Sequence, residues 1–360
     1  MHKGIRNSNI ELLRIFLSVL VIILHTNNPS DGGVIEYAKE ISYQAELLTL
    51  VTELVAICAV NTFVIITGYF LSSTDKRNPW KIVELFFLCA LFSGLKYLVI
   101  QIVDGESVQF GDVLFRCIPN NYYITLYSVI YLISPLINKA FLNSKKKVWQ
   151  YTIGILILFS VIPSILSIVS EVWGQTFNGL STIGNGGAQG GYTVVNFAMM
   201  YVIGLCIRRN DEKVVSTPLW EYIALEAVIL VLLVFWEHIH IQIEDTIWGS
   251  VLNYYNVLVV LEAIVLFCIF RKLNICSKVV NEIARCSIIV YLFHGAFVLT
   301  ISYRDIIASN GILLSELFII IISVGIFFAC YPLWKLYEIS FGKLFGDISR
   351  RFAFHNIFSD

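Results

Sequence analysis

The chain alternates long apolar runs with short polar connections. The first such run, NIELLRIFLSVLVIILHTN from Asn9 to Asn27, spans about 19 residues, the length a helix rising ~1.5 Å per residue needs to cross a ~30 Å hydrocarbon layer. A window of that length passed along the chain predicts ten spans, at roughly 9–27, 46–71, 82–103, 122–138, 149–170, 192–207, 219–236, 251–270, 283–302 and 313–334. The fold class this predicts is an all-α polytopic membrane helix bundle. The first run is too long for a signal-peptide core and no small-residue cleavage site follows it, so it is read as a retained span. The connections are too short for a separate extramembrane domain, and 1–360 is read as one integral-membrane domain with a cytoplasmic tail at 335–360.

Composition agrees with the pattern. Apolar residues make up 57% of the 360 and charged residues 14%, against about 25% charged in an average soluble domain. Charge then orients the spans, because cytoplasmic loops collect Lys and Arg. With the amino terminus inside, inner segments hold nineteen of these cations, from Lys3 and Arg6 through Lys76, Arg77 and Lys81 to Arg350 and Arg351. Outer segments hold three, Lys39, Arg116 and Arg304. Both termini are therefore expected in the cytoplasm. A net charge of −1 gives no field that would attract nucleic acid. The eight cysteines sit mostly inside apolar runs without CxxC pairing, which reads as packing rather than metal or redox chemistry. The glycine-rich stretch GNGGAQGGY, Gly184 to Tyr192, lacks the GK[ST] of a phosphate-binding P-loop and reads as a flexible outer loop.

An ionisable group in hydrocarbon costs about 2.5–3.5 kcal/mol on insertion scales, so each one asks for a partner or a wet cavity. In the first span Glu11, Arg14, Ser18 and His25 fall on one helical stripe. Arg14 and His25 are eleven residues apart, about 16 Å along the axis. The ninth span repeats the theme with Ser287, Tyr291 and His294 on one face, at a depth that brings His294 toward His25 if the helices are neighbours. The second span runs outside to inside, so Glu53 enters near the level of His25, where it is expected to orient the ring as a carboxylate orients a catalytic imidazole. Lys96 and Glu262, buried in the third and eighth spans, are expected to neutralise one another. The bland alternatives are a local Glu11–Arg14 pair and a His25 that snorkels to the interface.

Several stretches together resemble the integral-membrane acyltransferase family 3. They are ELLR (Glu11 to Arg14) followed by His25, VNTFVIITGYFLS (Val60 to Ser72), NNYYITLYSVIYLISPLIN (Asn120 to Asn138), GGYTVVNFAMMYVIGLCIRR (Gly190 to Arg209) and SIIVYLFH (Ser287 to His294). The chain departs from the family pattern at Tyr122, where tryptophan is common, and lacks the paired arginines many members carry at the start of the third span, having only Arg77 and Lys81 nearby. The resemblance implies a bacterial inner-membrane enzyme that takes an acyl group, acetyl foremost, from cytoplasmic acyl-CoA and places it on a hydroxyl of a cell-envelope glycan or lipid-linked sugar. It implies no permanently bound cofactor; acetyl-CoA is a substrate, the other partners being the acceptor and membrane lipid. His25, Arg14, Glu53 and His294 are then the catalytic candidates, and Glu11, Asn61, Tyr122, Ser287 and Tyr291 the substrate-binding ones. A histidine serves as general base or as an acyl relay, and the sequence leaves both open. Arg14 suits a phosphate or an oxyanion. Readings from other classes are a polytopic transporter or flippase of envelope precursors, and a non-catalytic ligand-binding membrane module.

Overall fold

The computed structural model describes residues 7–141, 145–174, 190–244 and 249–351. Among them every regular element is helical and none is a strand. Lys3, Arg6 and residues 184–189 of the glycine-rich stretch lie outside the described residues, as do 352–360 of the expected tail. In chain order the helices that matter below are α1 (Ser8–Asn27), α2 (Val34–Ile41), α3 (Tyr43–Ala56), α4 (Ala59–Leu71), α5 (Trp80–Asp104), α6 (Phe110–Arg116), α7 (Tyr122–Ala140), α8 (Lys145–Leu156), α9 (Ile162–Trp173), α10 (Val194–Arg209), α11 (Asp211–Ser216), α12 (Leu219–Glu244), α13 (Val257–Lys272), α14 (Lys278–Ile283), α15 (Ser287–Val298), α16 (Tyr303–Ser309) and α17 (Ile312–Ala329).

Helices stand at all ten expected places, and eight runs among the described residues are long and apolar enough to cross a membrane. The other two expected spans correspond to α7, which carries four tyrosines, and α10, which has 16 residues. The chain is thus a polytopic membrane bundle. Lipid explains surfaces that water would not tolerate: Trp220, Ile223, Leu225, Val231 and Phe235 of α12 are all exposed, an apolar outer face fit for hydrocarbon.

Three boundaries differ from the hydropathy reading. The second span is two helices, α3 and α4, meeting at Ile57–Cys58. The fifth carries a π-helical stretch, Ile157–Val161, just ahead of Pro163, whose ring cannot continue a regular ladder. The expected tail is helical as far as Arg351, because the apolar helical run that begins at Ile312 continues to Ile348.

The chain groups into two compact units. The first comprises residues 1–13, 54–75 and 125–277. Its centre is the pairing of α4 with α10, helices held closer than side chains normally allow. A Cβ on Gly68 would lie 2.1 Å from the Tyr201 carbonyl oxygen, and one on Gly204 would lie 2.3 Å from that of Ile65. Small residues at such a crossing are the usual means of tight packing in lipid. Polar side chains lock this unit further: Asn61 donates to the Tyr254 carbonyl at 2.7 Å and accepts from Asn196 at 3.0 Å. At its other end Tyr69 donates to Asp211, which also receives Arg271 at 2.6 Å. Asp211 is held below the usual carboxylate range: burial alone would raise it, but hydrogen bonds from Arg271 and Tyr69 outweigh that.

The second unit comprises residues 14–53, 76–124 and 278–360. Its core joins Ile22 of α1, Leu88 and Phe92 of α5, Ile289, Val290 and Phe293 of α15, and Phe327 of α17. Helix α15 packs on α5 through the edge-to-face pair Phe92–Phe293, ring centres 5.8 Å apart. This packing carries the sites of interest.

Candidate functional site

The site begins where α1 ends. After His25 and the last residues of α1, the segment NPSDGG, Asn28 to Gly33, cannot continue as helix, and it turns back on itself. Asn28 accepts the Ser30 amide on its side chain at 2.8 Å and the Asp31 and Gly33 amides on its carbonyl at 3.0 and 2.9 Å. The turn closes at Gly33, whose φ of +69° is the left-handed region that favours glycine. Asp31 is thereby brought over His25 from six residues away, its Oδ2 2.6 Å from His25 Nδ1.

That contact settles the chemistry of the ring. An ionised carboxylate can only accept, so Nδ1 carries the hydrogen and Nε2 is the nitrogen left to exchange a proton with a substrate. Asp31 is kept ionised: burial would raise its pKa, but the hydrogen bond from His25 and the positive charge of Lys96 outweigh that and hold it below the usual carboxylate value. The His25 side chain is 43% exposed and that of Asp31 23%. The result is an imidazole oriented by a carboxylate, half open to its surroundings.

His294 of α15 completes the local group. Its ring centre is 4.7 Å from that of His25, with the rings tilted by 59°. Its Nδ1 donates to the Val290 carbonyl at 2.8 Å, while Nε2 is buried with no hydrogen-bond partner among the described residues. The expected approach of the first and ninth spans at this depth is therefore what the fold delivers. Next to His294 on the chain, Gly295 receives Lys96 from α5: a Cβ there would meet the Lys96 ammonium at 2.6 Å.

The remaining candidates fall elsewhere. Glu53 does not orient His25; its Oε2 accepts from Asn27 at 3.0 Å, so it fixes the end of α1 two residues beyond His25. The carboxylate that holds the ring is Asp31. Tyr291 donates to Asn121 at 3.1 Å and packs on Tyr123, ring centres 5.0 Å apart, which places it beside the start of α7 and the exposed Tyr122. Ser287 is partly buried and donates to the Ala284 carbonyl three residues back on its own chain. Arg14 is partly buried on the stripe of α1 that carries Ser18, whose hydroxyl donates to the Arg14 carbonyl at 2.8 Å. Glu11 is buried in the first unit's share of α1. Asn61 is 1% exposed with both ends of its amide spent inside the first unit, so it locks helices and has no free edge for a substrate. The expected Lys96–Glu262 neutralisation is replaced by local neighbours: Lys96 has Gly295 and the charge of Asp31 in the second unit, and Glu262 lies with Cys58 and Glu226 in the first.

The sequence reading thus missed Asp31, and it took Lys96 for half of a structural ion pair. Asp31 had a signal, an acid inside the turn-rich NNPSDGG immediately after the span; Lys96 had only its cost in hydrocarbon. Among the described residues no group of three His, Cys, Asp or Glu is arranged to hold a metal.

The profile of the acyltransferase domain of family 3 matches residues 7–335, nearly the whole chain and both units. Neither a curated protein nor a solved structure matches the chain.

Proposed function

The chain belongs to acyltransferase family 3, and from that premise we propose that it transfers an acetyl group from cytoplasmic acetyl-CoA to a hydroxyl of a cell-envelope glycan or lipid-linked sugar. The membrane in this reading is a bacterial inner membrane, crossed ten times with both termini cytoplasmic, as the bias of loop charge supports. The observation that carries the reading is the 2.6 Å contact between His25 and Asp31 at the end of a membrane-spanning helix. An acyl transfer to a hydroxyl needs a base beside the acceptor, and a carboxylate-held imidazole is the side-chain pair best suited to that.

In the proposed reaction the acceptor hydroxyl gives its proton to His25 Nε2 as its oxygen attacks the thioester carbonyl. Asp31 holds the ring and balances the imidazolium that forms. Arg14, about 16 Å along the same helix, holds a phosphate of the donor, so that the thioester arm reaches toward His25 from the opposite side to the acceptor. His294 packs on the His25 ring and limits its tilt. Direct attack is the simpler of the two routes, since it asks His25 only to take up and return a proton, and the acyl relay is the outcome that trapping would reveal.

Membranes holding the protein, incubated with labelled acetyl-CoA and an envelope glycan fraction, test this. The expected result is label in the glycan, with His25→Ala and His25→Gln both lowering transfer by roughly 10²-fold or more at equal membrane content. Transfer by either variant within tenfold of the parent would remove His25 from the chemistry. Acid-labile label on the protein in the absence of acceptor would replace the direct route by the relay.

A further inference from the structure

We propose that Lys96 is a catalytic residue of this transfer, its ammonium receiving the oxyanion that forms when the thioester carbonyl is attacked beside His25. The proposal rests on the acyltransferase reading above and adds to it the group that stabilises the transition state.

Lys96 stands well inside a 25-residue apolar helix, α5, where a cation is costly unless something needs it. Among the described residues its ammonium makes no hydrogen bond and no ion pair, although it is partly buried. Its position is nonetheless specified: the ammonium rests on Gly295, in space that any side chain at 295 would fill, with a Cβ 2.6 Å from Nζ and 3.2 Å from Cε. Gly295 follows His294, whose ring centre lies 4.7 Å from that of His25. The charge of Lys96 acts on Asp31 and on His294, and Arg116 is the other cation it feels. An ammonium with no hydrogen bond among the described residues is therefore held near Asp31 and the imidazole pair by a gap left for it.

Charge balance gives this placement its use. Before reaction the group holds Asp31 as an anion, Lys96 as a cation and His25 neutral, so its net charge is zero. Attack forms a bond between the acceptor oxygen and the carbonyl carbon, moves the acceptor's proton to His25 Nε2, and shifts the carbonyl π pair onto its oxygen. The new imidazolium faces Asp31, the new oxyanion faces Lys96, and the net charge is still zero. Collapse re-forms the carbonyl, breaks the carbon–sulfur bond and returns the proton from His25 to the departing thiolate, leaving an ester and a free thiol. Without Lys96 the group would start as a net anion and would have to form the oxyanion with no positive charge facing it. Preorganised positive charge aimed where negative charge develops is the usual large contribution to such steps.

The test compares the parent with Lys96→Met, Lys96→Arg and Gly295→Ala in labelled transfer from acetyl-CoA, with kcat and both KM values read separately and the thermal midpoint of the detergent-purified protein measured alongside. Lys96→Met is expected to lower kcat by roughly 10²–10³-fold with KM for donor and acceptor within about threefold, the mark of an interaction made only in the transition state. Lys96→Arg is expected to recover part of the loss. Lys96→Met with kcat within tenfold of the parent, or with the loss confined to KM, overturns the proposal. If Lys96→Met lowers the midpoint, Gly295→Ala decides: it keeps the lysine and displaces its ammonium, so a tenfold or larger fall in kcat at an unchanged midpoint supports the role, and full activity overturns it. No transfer by the parent would refute the acyl-transfer reading itself, whereas undiminished transfer by Lys96→Met beside an active parent refutes only the role of Lys96.

Discussion

Replacing Asp31 by asparagine probes the geometry of the site without changing its shape. The wild-type contact is a 2.6 Å hydrogen bond from His25 Nδ1 to an ionised carboxylate, on side chains 43% and 23% exposed. A hydrogen bond to a charged group contributes about 1.5–3 kcal/mol net, and partial exposure puts this one toward the lower end. At about 1.36 kcal/mol per tenfold in rate, losing about 1.5–2 kcal/mol slows transfer roughly 10–30-fold. The amide has a second effect: if its nitrogen turns to His25, Nδ1 becomes the acceptor and the hydrogen moves to Nε2, where it blocks proton uptake. Asp31→Asn should therefore lower kcat at least tenfold, leave KM for acetyl-CoA unchanged, and leave membrane content unchanged. The pH profile gives a separate check. Because the Asp31 pKa is lowered in the fold, its contribution is fully present above the unfolded carboxylate value of about 4 and fades as pH falls through the folded value below it. The parent should thus keep its His25–Asp31 coupling across the neutral range, and the variant should lack any acid-side loss that comes from this pair. Asp31→Asn with more than a third of the parent's kcat would refute the assignment of Asp31 as the carboxylate that orients His25.

Three further outcomes follow from the same reasoning. Gly68→Ala should sharply reduce the yield of folded protein, since its Cβ would lie 2.1 Å from the Tyr201 carbonyl and backbone must move, an overpacking that typically costs about 1–3 kcal/mol or more; a thermal midpoint equal to the parent's would show that the α4–α10 crossing is looser than described. Arg14→Lys, which keeps the charge and loses the planar fork, should raise KM for acetyl-CoA at normal membrane insertion, and unchanged donor binding would remove the role given to Arg14. Reporter fusions after Lys147 and after Asp360 should both read as cytoplasmic, and an external signal from either would overturn the topology drawn from loop charge.

How much of this was legible before folding depends on the range over which each feature is decided. Span positions are local properties, because lipid accepts only runs whose backbone bonds to itself, and apolar length alone marks them; helices stand at all ten of the places that hydropathy picks out. The shared stripe of Arg14 and His25 is equally local, a matter of 3.6-residue periodicity. Partners of a buried charge are not local. Glu53 and His25 sit at the same depth in the sequence reading, yet a turn of Asn28 and Gly33 folds Asp31 onto the ring first and leaves Glu53 to Asn27. Asn61 reads as a substrate contact until the crossing of α4 and α10 encloses it. Lys96 reads as half of an ion pair until the packing of α15 on α5 sets its ammonium against Gly295. Hydropathy determines how deep a residue lies, but which helix stands beside it is decided by side-chain packing, and in hydrocarbon that packing alone decides which buried charge meets which.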